Sequence, residues 1–128
     1  NGITVSDDGI LWLATDAGVS YLKPGEASFK NINHFSHKQL PEGIVTAVAV
    51  DGGIAWIGTF DNGLYRYEIA GGNVTKVLYD PLRDGALHSQ AITSLLALPN
   101  RGLIVGPIQA AYFQELLSHP NNQKHQPK

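Results

Sequence analysis

The chain has 128 residues, 43 % of them hydrophobic and 16 % charged, which suits one ordinary domain and is too apolar for a disordered segment. Nine basic and eleven acidic side chains give a formal charge of −2, with no basic stripe to favour nucleic acid or an anionic membrane surface. The absence of Cys excludes thiol catalysis, disulfides and Cys-ligated zinc, and no apolar run is long enough to cross a bilayer as a helix.

In chain order, four short β-runs are expected at about residues 2–6, 10–15, 18–23 and 28–33. The polar segment "NHFSHKQLPEG" (33–43) reads as a loop between strands. Residues 44–50, "IVTAVAV", are nearly all apolar, as a strand buried on both faces would be. Asp51-Gly52-Gly53 is a tight hairpin signal leading into a strand at 54–59. Residues 63–69 alternate Leu64, Arg66 and Glu68 against Tyr65, Tyr67 and Ile69, the period of two of a strand. A turn at 70–73 precedes an outer strand at 73–79. The polar loop "DPLRDGALHSQ" (80–90) then leads into "AITSLLAL" (91–98) and "RGLIVGP" (101–107). Beyond these, Tyr112, Phe113, Leu116 and Leu117 suit a short amphipathic helix over 108–118, with a partial strand as the alternative. The polar end, 119–128, is expected to be poorly ordered.

The same grammar is written more than once. "DDGILWLAT" and "DGGIAWIGT" align without a gap from Asp7 and Asp51 to Thr15 and Thr59, which sets Trp12 against Trp56. A one-residue insertion then places Gly18 against Gly63. "LPEGIVTAVAVD" (40–51) aligns with "LHSQAITSLLAL" (87–98), pairing Leu40 with Leu87 and Thr46 with Thr93. A period near 45 residues with four short strands per unit is the signature of a propeller blade. The expected fold is therefore all-β: two complete four-stranded antiparallel blades, at about 1–35 and 40–80, and a degenerate partial third at 87–107. Trp12 and Trp56 should fill the gaps between blades. Gly58 and Gly63 should permit close backbone approach and positive φ.

The strings "DGGIAWIGTFDNGLYRY" (51–67) and "LHSQAITSL" (87–95) resemble the two-component-regulator propeller repeat, and the resemblance extends over about residues 3–106. The first unit departs from the pattern at Ala14, where the repeat has glycine. The third keeps only Ile104-Val105-Gly106-Pro107. The resemblance implies a β-propeller in the periplasmic sensor region of a bacterial histidine kinase or diguanylate cyclase, with a carbohydrate ligand in several members.

Few residues point to chemistry. "SDDGILW" (6–12) is similar to an Asp-box one residue short, which is a structural turn. His34 and His37 have metal-ligand spacing without a third ligand nearby, and no metal or cofactor is expected. Asp84, His88 and Ser89 lack the G-x-S-x-G context of a nucleophile. Tyr65, Tyr67, Tyr79 and Phe35 could stack on sugar rings but suit blade packing better. The long polar loops 36–43 and 80–90 belong on one rim of a propeller, where partners bind. Their candidate ligand contacts are Lys38, Glu42, Arg83, Asp84, His88 and Gln90.

These readings predict a non-catalytic sensor or ligand-binding module facing the periplasm. The alternatives are a piece of a propeller lyase or glycosidase acting on polysaccharide, or a structural interaction propeller. Expected partners are a small molecule or oligosaccharide and further blades, from another copy in a homo-oligomer or from a longer chain. The absent Met favours a longer chain.

Overall fold

Each hairpin signal closes an antiparallel pair, and each repeat unit folds as its own meander. The computed structural model describes residues 2–99, 102–107 and 114–117, and no described residue is helical. The first sheet is β1 (Gly2–Val5), β2 (Leu11–Thr15), β3 (Gly18–Leu22) and β4 (Lys30–Ile32), in that order. The second is β5 (Val45–Asp51), β6 (Ile54–Thr59), β7 (Leu64–Glu68) and β8 (Val74–Lys76). The third holds β9 (Ile92–Leu98), β10 (Gly102–Pro107) and β11 (Gln114–Leu117).

The third blade reaches further than the repeat suggested. Of the two readings for 108–118, residues Gln114–Leu117 take the strand. They pair with β10 from Gly102↔Leu117 to Val105↔Gln114, and this pairing satisfies backbone groups that a lone helical turn would leave open. Leu116 is thereby buried beside Leu103. Tyr112, Phe113 and the tail 119–128 lie outside the described residues.

The innermost strands stack side by side, β1 on β5 and β5 on β9, while β2 also packs on β5 and β6 on β9. Period-two alternation gives every blade two faces, and the registers assign them. Trp12, paired with Thr4 and Tyr21, lies on the face of the first blade that meets the second. Trp56, paired with Ala49 and Arg66, lies on the face of the second blade that meets the third. Both indoles are buried. Trp12 stacks on Tyr21 with ring centroids 5.1 Å apart, and its Nε1 donates to Ser6 Oγ at 3.3 Å. One apolar cluster joins Trp12 to Val48, Ile57, Tyr65 and Tyr67; the other joins Trp56 to Leu64, Ile92, Leu103 and Val105. Burying rings of this size stabilises each interface by a few kcal/mol, roughly 3.

Small residues set how closely the blades approach. A Cβ on Gly58 would stand 2.6 Å from Ile92 Cγ2. The first blade solves the same problem with the order reversed. Its Gly2 pairs with Ala14, whereas the second blade pairs Ala47 with Gly58, and a Cβ on Gly2 would meet the Thr46 carbonyl oxygen at 3.3 Å. The departure at Ala14 thus moves the glycine to the neighbouring strand. Thr46 Oγ1 completes the junction by donating to the Ile92 carbonyl at 2.5 Å.

Candidate functional site

The loops that lead into β5 and β9 and the turns after β2 and β6 emerge at one end of the stack. Phe60 N donates to Ile44 O at 3.1 Å and Gly63 N to Gln90 O at 2.8 Å, so the two ends of the β6–β7 turn are tied to one lead-in loop each. A narrow notch on this rim is lined by Gly18, Asn33, Leu40, Gly43, Thr59 and Asn62, drawn from two blades.

The turns are built alike. Thr59 Oγ1 donates to Gly63 O at 2.7 Å and accepts from Asn62 N at 2.9 Å. Thr15 Oγ1 donates to Gly18 O at 2.9 Å and accepts from Ala17 N at 3.1 Å. Gly63 has φ +84° and Gly18 has φ +115°. At Gly18 a Cβ would also stand 2.6 Å from the Ile32 carbonyl oxygen, so that position tolerates only glycine. These repeat residues fix the turn and present no reactive group.

Each long loop is anchored by one buried leucine. Leu40 sits in the first interface and Leu87 in the second. In the first loop the Asn33 side chain caps Phe35 N at 2.9 Å and Ser36 N at 3.1 Å, and His34 Nδ1 lies 2.7 Å from Leu40 O. Glu42 stands 4.0 Å from His34 Nε2, and Lys38 is exposed. In the second loop Leu87 exchanges backbone bonds with Leu78 and Asp80, and Gln114 on β11 grips the chain. Its Oε1 accepts from His88 N at 2.9 Å and its Nε2 donates to Ala86 O at 2.6 Å. The His88 ring lies 2.9 Å from Arg83 O, Lys76 Nζ is 3.5 Å from Gln90 Oε1, and Arg83 and Asp84 are exposed.

The six candidate contacts therefore share a rim but split into two groups, Lys38 and Glu42 on the first loop and Arg83, Asp84, His88 and Gln90 on the second. The other chemical candidates do not converge either. Ser89 Oγ donates to Ala91 O at 3.3 Å while His88 turns to Arg83. His37 packs edge-on against Tyr67 and takes no part with His34. Asp8 bonds the Ser6 hydroxyl, which holds its carboxyl below the usual range, and this pair serves the β1–β2 turn.

The aromatic residues sort by burial. Tyr65 and Tyr67 are buried between blades, and desolvation raises both phenols above the ordinary value of 10.0. Phe35 is 84 % exposed. Phe60, 51 % exposed, and Ile44, bonded through their backbones, are exposed at this rim too, and neither was a candidate from sequence. A signal for Phe60 does exist: it is an aromatic in a turn, where the first unit has Asp16, and a turn offers no face on which to bury a ring.

This architecture is that of stacked β-propeller blades. No family model matches the sequence, and no curated protein is similar to it. Solved structures do share the fold. The computationally designed Ika4 protein superposes with a TM-score of 0.62 at 17 % identity, over 90 % of this chain and 63 % of that one. The extracellular domain assigned to a hybrid two-component system, BT3049 of B. thetaiotaomicron, gives 0.61 at 19 % identity, over 91 % of this chain and 18 % of that one. The extracellular domain of BT4673, assigned to a hybrid two-component system of the same organism, gives 0.56 at 21 % identity, over 94 % and 16 %. The chain thus spans under two thirds of the designed protein and less than a fifth of either extracellular domain.

Proposed function

We propose that the chain is a non-catalytic ligand-sensing segment of an extracytoplasmic bacterial receptor of the two-component-regulator propeller type, reading its ligand at the rim. The observation that carries this is the gathering of loops 33–44, 60–63 and 77–91 at one end of a rigid blade stack, tied by the Phe60–Ile44 and Gly63–Gln90 backbone bonds. A scaffold that holds loops in place while leaving Phe35, Phe60 and polar side chains exposed suits recognition. The repeat resemblance and the likeness in fold to extracellular domains of two-component systems support the sensor role and a periplasmic location.

An oligosaccharide is the ligand class that fits. Exposed rings supply stacking faces, and Lys38, Glu42, Arg83, Asp84, His88 and Gln90 supply donors and acceptors around them. Calorimetric titration against a panel of plant and bacterial oligosaccharides tests this. Binding should be weakened about tenfold or more by Phe60→Ala or Arg83→Ala and should leave the sugar intact. Reducing-end release that Asp84→Asn or His88→Ala abolishes would instead make the chain part of a polysaccharide-cleaving enzyme.

A further inference from the structure

Among the described residues the blades meet at two junctions, and the same rim space is treated differently at each. Gly18 and Gly63 hold equivalent places at the ends of the β2–β3 and β6–β7 turns, as Gly43 and Gln90 do in the lead-in loops. At the second junction the Gln90 side chain lies over Gly63. Its Oε1 stands 3.7 Å from where a Gly63 Cβ would be, and Leu87 Cδ2 stands at 3.7 Å from the same point. At the first junction residue 43 has no side chain, and a Cβ there would meet nothing within 4 Å. The notch beside Gly18 stays open, with a volume of about 10 Å³.

That volume takes one group of the size of a water or a methyl. Four apolar residues, Leu40, Pro41, Ile44 and Val45, line it together with two half-buried asparagines, Asn33 and Asn62. A water finds few polar partners among such walls, so an apolar group suits the space better. The asparagines add the two halves of a hydrogen-bonding pair. Asn33 Oδ1 is taken by Phe35 N and Ser36 N, which leaves Nδ2 as a donor. Asn62 Nδ2 donates to Asp61 Oδ1 at 3.1 Å, which leaves Oδ1 as an acceptor. Thr59 adds neither, because its hydroxyl is engaged within the turn. Phe60, next in sequence, is half-exposed at this rim. A methyl attached to a carbonyl that is followed by an N–H is an acetamido group.

We infer, on the basis of the oligosaccharide reading of this rim, that the notch receives the acetamido group of an N-acetylated sugar. The methyl enters beside Leu40, Ile44 and Val45. The carbonyl oxygen accepts from Asn33 Nδ2, and the N–H donates to Asn62 Oδ1. The pyranose that carries the group stacks on Phe60. A sugar with a plain hydroxyl in that place leaves both asparagine groups unpaired and the notch unfilled, so the site discriminates against it.

Calorimetric titration with N-acetylated chitotriose, its N-propionyl analogue and cellotriose tests this. The acetylated trimer should bind about tenfold or more tightly than cellotriose, which has hydroxyls in place of the acetamido groups. The N-propionyl form, one methylene too long for the notch, should bind about tenfold more weakly than the acetylated one. Asn33→Asp keeps the Oδ1 cap on residues 35 and 36 but removes the donor. It should weaken the acetylated trimer about tenfold and leave cellotriose unchanged. Should this variant fail to fold by far-ultraviolet circular dichroism, the three sugars on the native chain still decide. Equal affinity for all three, weakened alike by Phe60→Ala, overturns the acetamido subsite and leaves the rim reading standing. Binding of some other oligosaccharide but none of these three has the same meaning, and binding of no oligosaccharide overturns both. An Nε-acetyl-lysine peptide bound more tightly than the acetylated trimer overturns the sugar as carrier of the group.

Discussion

The strands β5 and β9 occupy the same place in their blades, yet they are held very differently. Both are seven residues long and mainly apolar, VTAVAVD and ITSLLAL. In β5 four of the first five residues are buried, because blades cover both of its faces. In β9 only Ile92 is buried, because one face meets β5 and β6 and no other described blade packs on the opposite face. A blade's stability thus comes from its neighbours, and the same strand grammar is worth much more in the middle of a stack than at its end.

Substitutions at the interfaces should expose this contrast most strongly. Trp12→Ala or Trp56→Ala should cost about 3–5 kcal/mol in a urea titration, since each removes the largest filler between two blades. Ile104→Ala, on the face of the third blade turned away from the second, should cost about 1 kcal/mol or less. Equal losses at Trp56 and Ile104 would break the comparison. Next in size is Gly18→Ala, expected to cost about 2 kcal/mol because the new Cβ meets the Ile32 carbonyl and the φ is positive. A stabilised variant would mean that the β2–β3 turn is built otherwise.

How much of this was legible beforehand depended on which neighbour a residue needed. Trp12, Trp56, Thr15, Thr59, Gly18, Gly58 and Gly63 act inside a repeat or between adjacent repeats, and a period of 44 residues with a one-residue insertion is enough to find them. The strand at Gln114–Leu117 was harder. Its apolar residues fit a helical spacing as well as a strand, and only pairing with β10 decides between them. Gln114 as the clamp on residues 86–88 was invisible, because a contact across 26 residues leaves no periodic trace. The six rim candidates were found by loop length and polarity, which place a residue on a surface but do not say whether two loops converge.

Smaller effects sharpen the picture of the turns and faces. Thr59→Val should cost about 1–2 kcal/mol, because the buried hydroxyl both donates to Gly63 O and accepts from Asn62 N. Thr15→Val, at a partly exposed turn, should cost less. The two buried phenols predict a pH dependence. Their folded values lie above 10.0, so the neutral forms' contribution is fully present below pH 10 and is lost as the pH rises from there through the folded values. The unfolding midpoint should therefore stay level to about pH 9 and fall above 10, less steeply in Tyr65→Phe. At the bottom of the scale, Leu82→Ser should change stability by no more than about 0.5 kcal/mol, since Leu82 is 95 % exposed.

The stacking itself is tested most directly by the fluorescence of single-tryptophan chains. Trp56→Phe leaves only Trp12, and Trp12→Phe leaves only Trp56. Blades packed as described predict blue-shifted emission and strong protection from iodide quenching for both, with both protections lost together in a single urea transition. Emission at the wavelength of a hydrated indole from either chain in native buffer would contradict the account.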